Sequence, residues 1–271
     1  MVKAGQYNKL KVVRKADFGF YLDDGAEGIL LPNNLNIGDE IEVLVYHDSE
    51  DRLIATTQKP LGIVGDIVKL KTVSTTPQGA FLDWGLMKDL FVAKSQQLTG
   101  MRTQGEYLVK IYRDEKTGRV AASEKFDSSL SNDQLTVKVL DEVDLIVYRR
   151  TNIGYVVIIN NQHTGVLHHN EIYRTISVGD NFKGFIKNIY PENNNIDVAA
   201  GKPGYKRVED ETEKILRLLN ENNGFLPFHD KSVPEEIYES FGMSKKTFKM
   251  TVGNLYRQKK ISLEENGMRL L

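Results

Sequence analysis

Asp17-Phe18-Gly19-Phe20-Tyr21-Leu22 stands near the start of the chain. The same phrase returns as Gln78-Gly79-Ala80-Phe81-Leu82-Asp83 and again as Asn152-Ile153-Gly154-Tyr155-Val156-Val157. Each copy is a β-rich run with a glycine inside it, preceded by another β-rich run and followed by a turn. Glycine inside a strand pattern marks a bulge or a close approach of backbone. A bulge here would turn Phe18 and Tyr21 toward one face despite their odd spacing. The rest of the chain reads as repetition or extension of that aromatic surface.

Working outward, the phrase sits in a unit spanning residues 1–60. Leu10-Lys11-Val12-Val13-Arg14 alternates as a strand, Asp23-Asp24-Gly25 turns, and Gly28-Ile29-Leu30-Leu31 reads as a buried strand. Ile41 to Tyr46 and Arg52 to Thr56 complete a set of short strands that suggests a small barrel. Residues 61–125 repeat this order, residues 126–138 read as a linker, and residues 139–204 repeat it once more. From phrase glycine to turn glycine the chain runs Gly19 to Gly38, Gly79 to Gly105 and Gly154 to Gly179. The order is kept while one loop varies, as in divergent copies of one fold.

After Pro203-Gly204 the period changes. Val208, Ile215, Leu218 and Leu219 fall at helical spacing. Ser232-Val233-Pro234-Glu235 reads as a capping box opening a second helix that ends at Phe241-Gly242. Ser244 caps a third, and Asn266-Gly267 marks a terminal hairpin. Residues 205–271 are therefore expected to form a winged helix-turn-helix. The fold class is mainly β with a C-terminal α+β domain.

The 271 residues are 40% hydrophobic and 27% charged, as in globular proteins. No apolar run nears the roughly 20 residues of a membrane span, and the first residues lack a signal-peptide core. Without cysteine there is neither a disulfide framework nor a thiolate metal site. A cytoplasmic protein with no membrane partner is expected. The formal net charge of -1 argues against a polybasic coat but leaves local basic patches open.

No catalytic constellation emerges. His47, His163, His168, His169 and His229 lack the carboxylate spacing of a zinc motif. A phosphate-cradling loop with its lysine and a nucleophile elbow are both missing. No catalytic residue, metal or cofactor is expected. The barrels are more informative. Bases stack on Phe or Tyr for about 1–3 kcal/mol each while Arg or Lys follows the phosphates, so aromatics on an open barrel face suit single-stranded nucleic acid. The alternative is that Phe18, Tyr21 and Phe81 fill small cores. In the third helix, Phe248, Val252 and Leu255 point inward and leave Lys246, Lys249, Gly253, Arg257 and Lys260 opposite. Gly253 costs about 1 kcal/mol against Ala, so a close approach of backbone or ligand there would explain it.

Each barrel unit resembles the S-one RNA-binding domain, which implies three tandem five-stranded OB-fold barrels ahead of the winged helix. The carriers in copy one are Phe18-Gly19-Phe20-Tyr21, the turn Gly38-Asp39, and Asp48 paired with Arg52, with Leu31 where that family has a histidine. Copy two keeps Gly79, Phe81, Asp114 and Arg119, with Gln78 in place of an aromatic and Val92 in place of the histidine. Copy three has His168 in Gly165-Val166-Leu167-His168. Ile153 and Val156 take its aromatic places beside Tyr155, and it has no Asp-to-Arg pair. By these positions copy one is the best stacking platform. Nearly the whole chain resembles the conserved virulence factor B family, three such barrels and a winged helix. Its most specific stretches here are Gly79 to Gly85 and Gly242 to Lys249, the latter bringing in Lys245.

The resemblance implies a non-catalytic RNA-binding regulator acting after transcription. Its partner would be single-stranded RNA, with ribosome or mRNA as the setting. The RNA-binding set is Phe18, Tyr21, Asp48, Arg52, Phe81, Asp114, Arg119, Tyr155, His168, Lys245, Lys246, Lys249, Arg257 and Lys260. Two other readings are a DNA-binding transcription regulator using the winged helix, with duplex DNA the less favoured partner, and a ribosome- or nuclease-associated adaptor.

Overall fold

The computed structural model describes residues 2–32, 35–172, 175–201 and 205–271, and for residues 170 and 205–210 the backbone alone. The first barrel consists of β1 (Tyr7–Ala16), β2 (Gly19–Leu22), β3 (Ile29–Leu31), β4 (Glu40–His47) and β5 (Leu53–Thr56). The second has β6 (Ile67–Thr75), β7 (Gly79–Asp83), β8 (Leu90–Ala93), β9 (Glu106–Arg113) and β10 (Val120–Ser123). The third has β11 (Glu142–Arg150), β12 (Gly154–Ile159), β13 (His163–His168), β14 (Asn181–Tyr190) and β15 (Asn195–Ala199). The first and third are closed in the order β1-β2-β3-β5-β4 and its equivalent, with β3–β5 and β13–β15 parallel. The second keeps the order but is left open between β8 and β10.

Alternation decides which side chains enter each core. Phe20, Leu22, Ile29 and Leu31 are buried, whereas Tyr21 and Leu30, one residue out of phase, stay half exposed on the outer face. The repeated phrase does not bulge at its glycine. The extra residue lies in the preceding strand, where Val12 pairs with Leu22 but Arg14 pairs with Tyr21, leaving Val13 over. Val73 and Tyr148 are the equivalent residues in β6 and β11. The glycine meets the other condition, close backbone approach. A Cβ on Gly19, Gly79 or Gly154 would run into the carbonyl oxygen of Leu31, Val92 or Leu167 on the neighbouring strand.

The chain divides into two compact units, residues 1–129 and 130–271. Within the first, the core of the second barrel continues into the first through Leu44 and Tyr46. The Tyr46 ring meets Trp84 edge-on at 6.1 Å. A backbone bond joins them further, Val64 N–H donating to the carbonyl of Gly5, whose own N–H donates to the Val45 carbonyl of the first barrel.

Within the second unit, residues from Leu130 to Lys138 are folded onto the third barrel, so the expected linker is largely part of that body. Leu135 and Val137 pack on its core. The Asn132 amide donates to the Thr164 and Asn194 carbonyls at 2.9 and 3.0 Å. Buried His163 is a strut of the same kind, its Nδ1 on the Ser131 carbonyl and its Nε2 accepting from Thr136 N–H. The expected boundary at Pro203-Gly204 lies outside the described residues, as does the side chain of Val208.

The remaining elements are α1 (Tyr205–Glu221), β16 (Phe225–Leu226), α2 (Pro234–Phe241), α3 (Lys245–Arg257), β17 (Ile261–Glu264) and β18 (Gly267–Leu270). They form a winged helix. Its core centres on Phe241, whose ring lies 4.8 Å from Phe228 and 5.0 Å from Phe248. Ser244 caps α3 as expected, accepting from Thr247 N–H at 3.0 Å. Ser232 does not cap α2. Val233 is the N-cap residue, and the Ser232 hydroxyl accepts from His229 N–H instead, so Pro234 in the first turn starts the helix without that bond.

Candidate nucleic-acid interface

The strand register lines up one outer row across each barrel. In the first it runs Arg14–Tyr21–Leu30–Ile54, in the second Ser74–Phe81–Phe91, and in the third Arg149–Val156–Val166–Asp197. Cross-strand neighbours in such a row touch. The three copies fill the same positions with different chemistry.

In the first barrel the Arg14 guanidinium lies 3.8 Å from the centre of the Tyr21 ring, covering one of its faces. Phe18 projects from the β1–β2 turn and is 84% exposed. Below the row, Arg52 grips Asp48 with Nε and a terminal nitrogen at 2.9 and 2.7 Å. Burial pushes the Asp48 carboxyl up, but the hydrogen bonds from Arg52 and from Glu50 N–H outweigh it and hold the group below its ordinary range. The pair braces the β4–β5 hairpin.

The second barrel departs from the expected pairing. The Arg119 side chain does not meet the Asp114 carboxylate, which instead accepts from Lys116 N–H and the Thr117 hydroxyl. The hairpin is one residue longer than its counterpart, and the Arg119 fork reaches Asp51 of the first barrel, both bonds 2.7 Å. That fork keeps the Asp51 carboxyl below its usual range. Phe81 sits where expected, with Phe91 beside it at 5.1 Å between ring centres and tilted by 49°. Phe91 was missed, although alternation along Asp89-Leu90-Phe91-Val92 already puts it outward.

The third barrel places Tyr155 against its core, with its hydroxyl at 3.5 Å from the Ile176 carbonyl. It is the counterpart of buried Phe20 and lies apart from the outer row. His168 bonds Asp197 at 3.0 Å, and Asp197 also accepts from the Tyr190 hydroxyl at 2.9 Å. That bond to Asp197 raises the Tyr190 phenol. The register also corrects the histidine's counterparts. Gly154 pairs with His168 and Gly79 with Ala93, while Phe20 pairs with Leu31 and so sets Gly19 against Pro32. The positions matching His168 are Pro32 and Ala93. Leu31 and Val92 are core residues one step earlier, and a one-residue slip changes the face.

In the winged helix, Lys246, Lys249, Arg257 and Lys260 are exposed along one side of α3 and beyond its end, and Lys245 is half-buried at its start. Met250 and Tyr256, both more than half exposed, share that outer side. Among the described residues no atom outside the helix lies within 4 Å of a Cβ built on Gly253, so none of them makes the close approach expected there.

A cleft of about 810 Å³ opens within the first unit beside the gap between β8 and β10. Phe81, Phe91 and Gln78 of the second barrel line it, together with Tyr46, His47 and Ser49 of the first. Lys88 donates to the Asp48 carbonyl at 2.6 Å, and burial lowers its ammonium. Burial also lowers the His47 imidazole, more than nearby Asp51 raises it. Among the described residues, His47 Nδ1 and Thr72 Oγ1 are the buried side-chain polar atoms without a hydrogen-bond partner.

Five-stranded barrels with this outer row, followed by a winged helix, define a class, and known proteins agree with it. Residues 4–58 match the S1 (S-one) domain and residues 213–270 the CvfB-like winged helix domain. The similarity to the conserved virulence factor B family is borne out along most of the chain. Conserved virulence factor B of Staphylococcus epidermidis is 28% identical over 250 residues, 88% of this chain and 82% of that protein. The Bacillus subtilis protein YitL, named as uncharacterized, is 29% identical over 280 residues, 98% of this chain and 93% of its own. A solved multidomain protein with nucleic acid binding domains from Streptococcus pneumoniae is 20% identical, with 99% and 98% coverage and a TM-score of 0.42.

Proposed function

We propose that this chain is a non-catalytic protein that binds single-stranded RNA and regulates gene expression after transcription. The Phe81–Phe91 pair is the observation that carries the reading. Two rings on the outer face of an S1-like barrel, neither capped by a cation among the described residues, form a surface on which bases stack for about 1–3 kcal/mol each. Tyr21 with Arg14 offers a second stacking surface, and the exposed cations of α3 supply contacts that follow phosphates. The geometry shifts weight from the first barrel to the second, because Arg14 already occupies one face of Tyr21. An mRNA segment, free or on a ribosome, is the natural source of such a strand. Among the described residues no helix is long and apolar enough to cross a membrane.

The test is fluorescence anisotropy of a labelled mixed-sequence RNA at two salt concentrations, with unlabelled duplex DNA as competitor. Affinity should fall with salt, and Phe81→Ala with Phe91→Ala should weaken it by roughly 10- to 100-fold. Duplex DNA displacing the RNA more effectively than RNA itself, with the effect lost in a Lys246→Glu, Lys249→Glu chain, would favour the DNA-binding alternative.

A further inference from the structure

We propose that the cleft between the first two barrels is a pocket for one nucleobase of the bound strand, and that the first barrel reads that base through His47. The inference rests on the RNA-binding reading and adds a base-selective site to it. Its volume of about 810 Å³ lies within the range of small-molecule pockets and is ample for a nucleotide. The wall from the second barrel is the ring pair Phe81 and Phe91, a stacking surface that accepts any base.

The opposite wall comes from the β4–β5 hairpin of the first barrel, and it holds one of the two buried side-chain polar atoms without a hydrogen-bond partner among the described residues. His47 Nδ1 is buried and without a partner, in a cleft whose cations Lys88 and Arg119 are both engaged. Lys88 is tied to the Asp48 carbonyl, and Arg119 is forked onto Asp51. A buried polar atom without a hydrogen bond is costly, and a base edge would supply the missing partner. The same two contacts hold the hairpin against the second barrel, so the pocket needs both barrels. Stacking would give affinity, and the His47 bond would give the choice among bases.

The sole tryptophan of the chain, Trp84, lines this cleft and reports on it directly. The full chain is titrated with short homopolymers of A, C, G and U, followed both by Trp84 emission and by anisotropy of an end label. One homopolymer should change Trp84 emission and bind roughly tenfold tighter than the others. His47→Phe, which keeps a flat ring and removes the polar edge, should bring that preference close to one while the weaker homopolymers bind as before. Phe91→Ala should weaken all of them.

RNA binding seen by anisotropy with Trp84 emission unchanged overturns the pocket, as does an unaltered ranking in the His47→Phe chain. Either result leaves RNA binding by the rest of the chain standing. Failure of every homopolymer to bind sinks the broader reading and the pocket with it. Nucleoside monophosphates form the last arm and should compete only weakly. If one saturates the Trp84 signal as tightly as the homopolymer, the cleft takes a free nucleotide and the assignment to a strand is overturned.

Discussion

Gly79 shows how tightly single positions are held. Its missing Cβ leaves room for the Val92 carbonyl and for the edge of the Phe91 ring. Gly79→Ala should therefore push β7 from β8, lowering stability by roughly 1–3 kcal/mol and displacing Phe91 from Phe81. Chemical denaturation reads the first effect, and RNA titration the second. The glycine phrase was legible in the sequence, but its physical reason was not. A bulge and a close approach leave the same mark on a single strand, and only pairing tells them apart. Arg14, Phe91, Tyr190 and Asp197 escaped for a related reason, because each gains its role from a neighbour across a strand pair. The histidine position slipped by one residue because the apolar runs Ile29-Leu30-Leu31 and Leu90-Phe91-Val92 do not announce their register.

Among the elements, the winged helix was the most legible, because helical period, a serine cap and an Asn-Gly turn are all local signals. Ser232 was misread since a capping sequence does not ensure that the hydroxyl turns toward the helix. Within this domain, the core and the outer face of α3 should separate cleanly. Phe248→Ala removes a fully buried ring and should cost about 3–5 kcal/mol of the domain's stability, measured by thermal unfolding. Lys246→Glu with Lys249→Glu should leave the melting temperature nearly unchanged while weakening RNA binding and reducing its salt dependence. The β4–β5 hairpin carries its own pH dependence. Burial lowers His47, with Lys88, Arg119 and Arg113 acting in the same sense and Asp51 against it. The unfolded chain, with an ordinary imidazole near pH 6.5, then takes up the proton before the folded one does. Stability should be full above about pH 6.5 and fall as the pH drops through that value toward the folded pKa. The decline should disappear in a His47→Phe chain, as followed by urea unfolding at several pH values.

At the scale of the whole molecule, the three tandem barrels were plain from the repeat, but the union of the first two was not. Asp51, Arg119, Lys88 and Tyr46 join them from loops and outer strand positions that differ between copies, so no repeat pattern marks them. That union makes the first two barrels one body, and on the proposed RNA-binding reading linkage to the third barrel and the winged helix would add affinity by effective concentration. The most direct measurement is photo-crosslinking of the full chain to a 4-thiouridine-containing single-stranded RNA, with the crosslinked peptides mapped by mass spectrometry. The account predicts that peptides carrying Phe81 and Phe91 dominate, followed by those carrying Tyr21 and the Lys245 to Arg257 helix. Crosslinks confined to other surfaces, or none at all under conditions that crosslink a known single-strand binder, would contradict it.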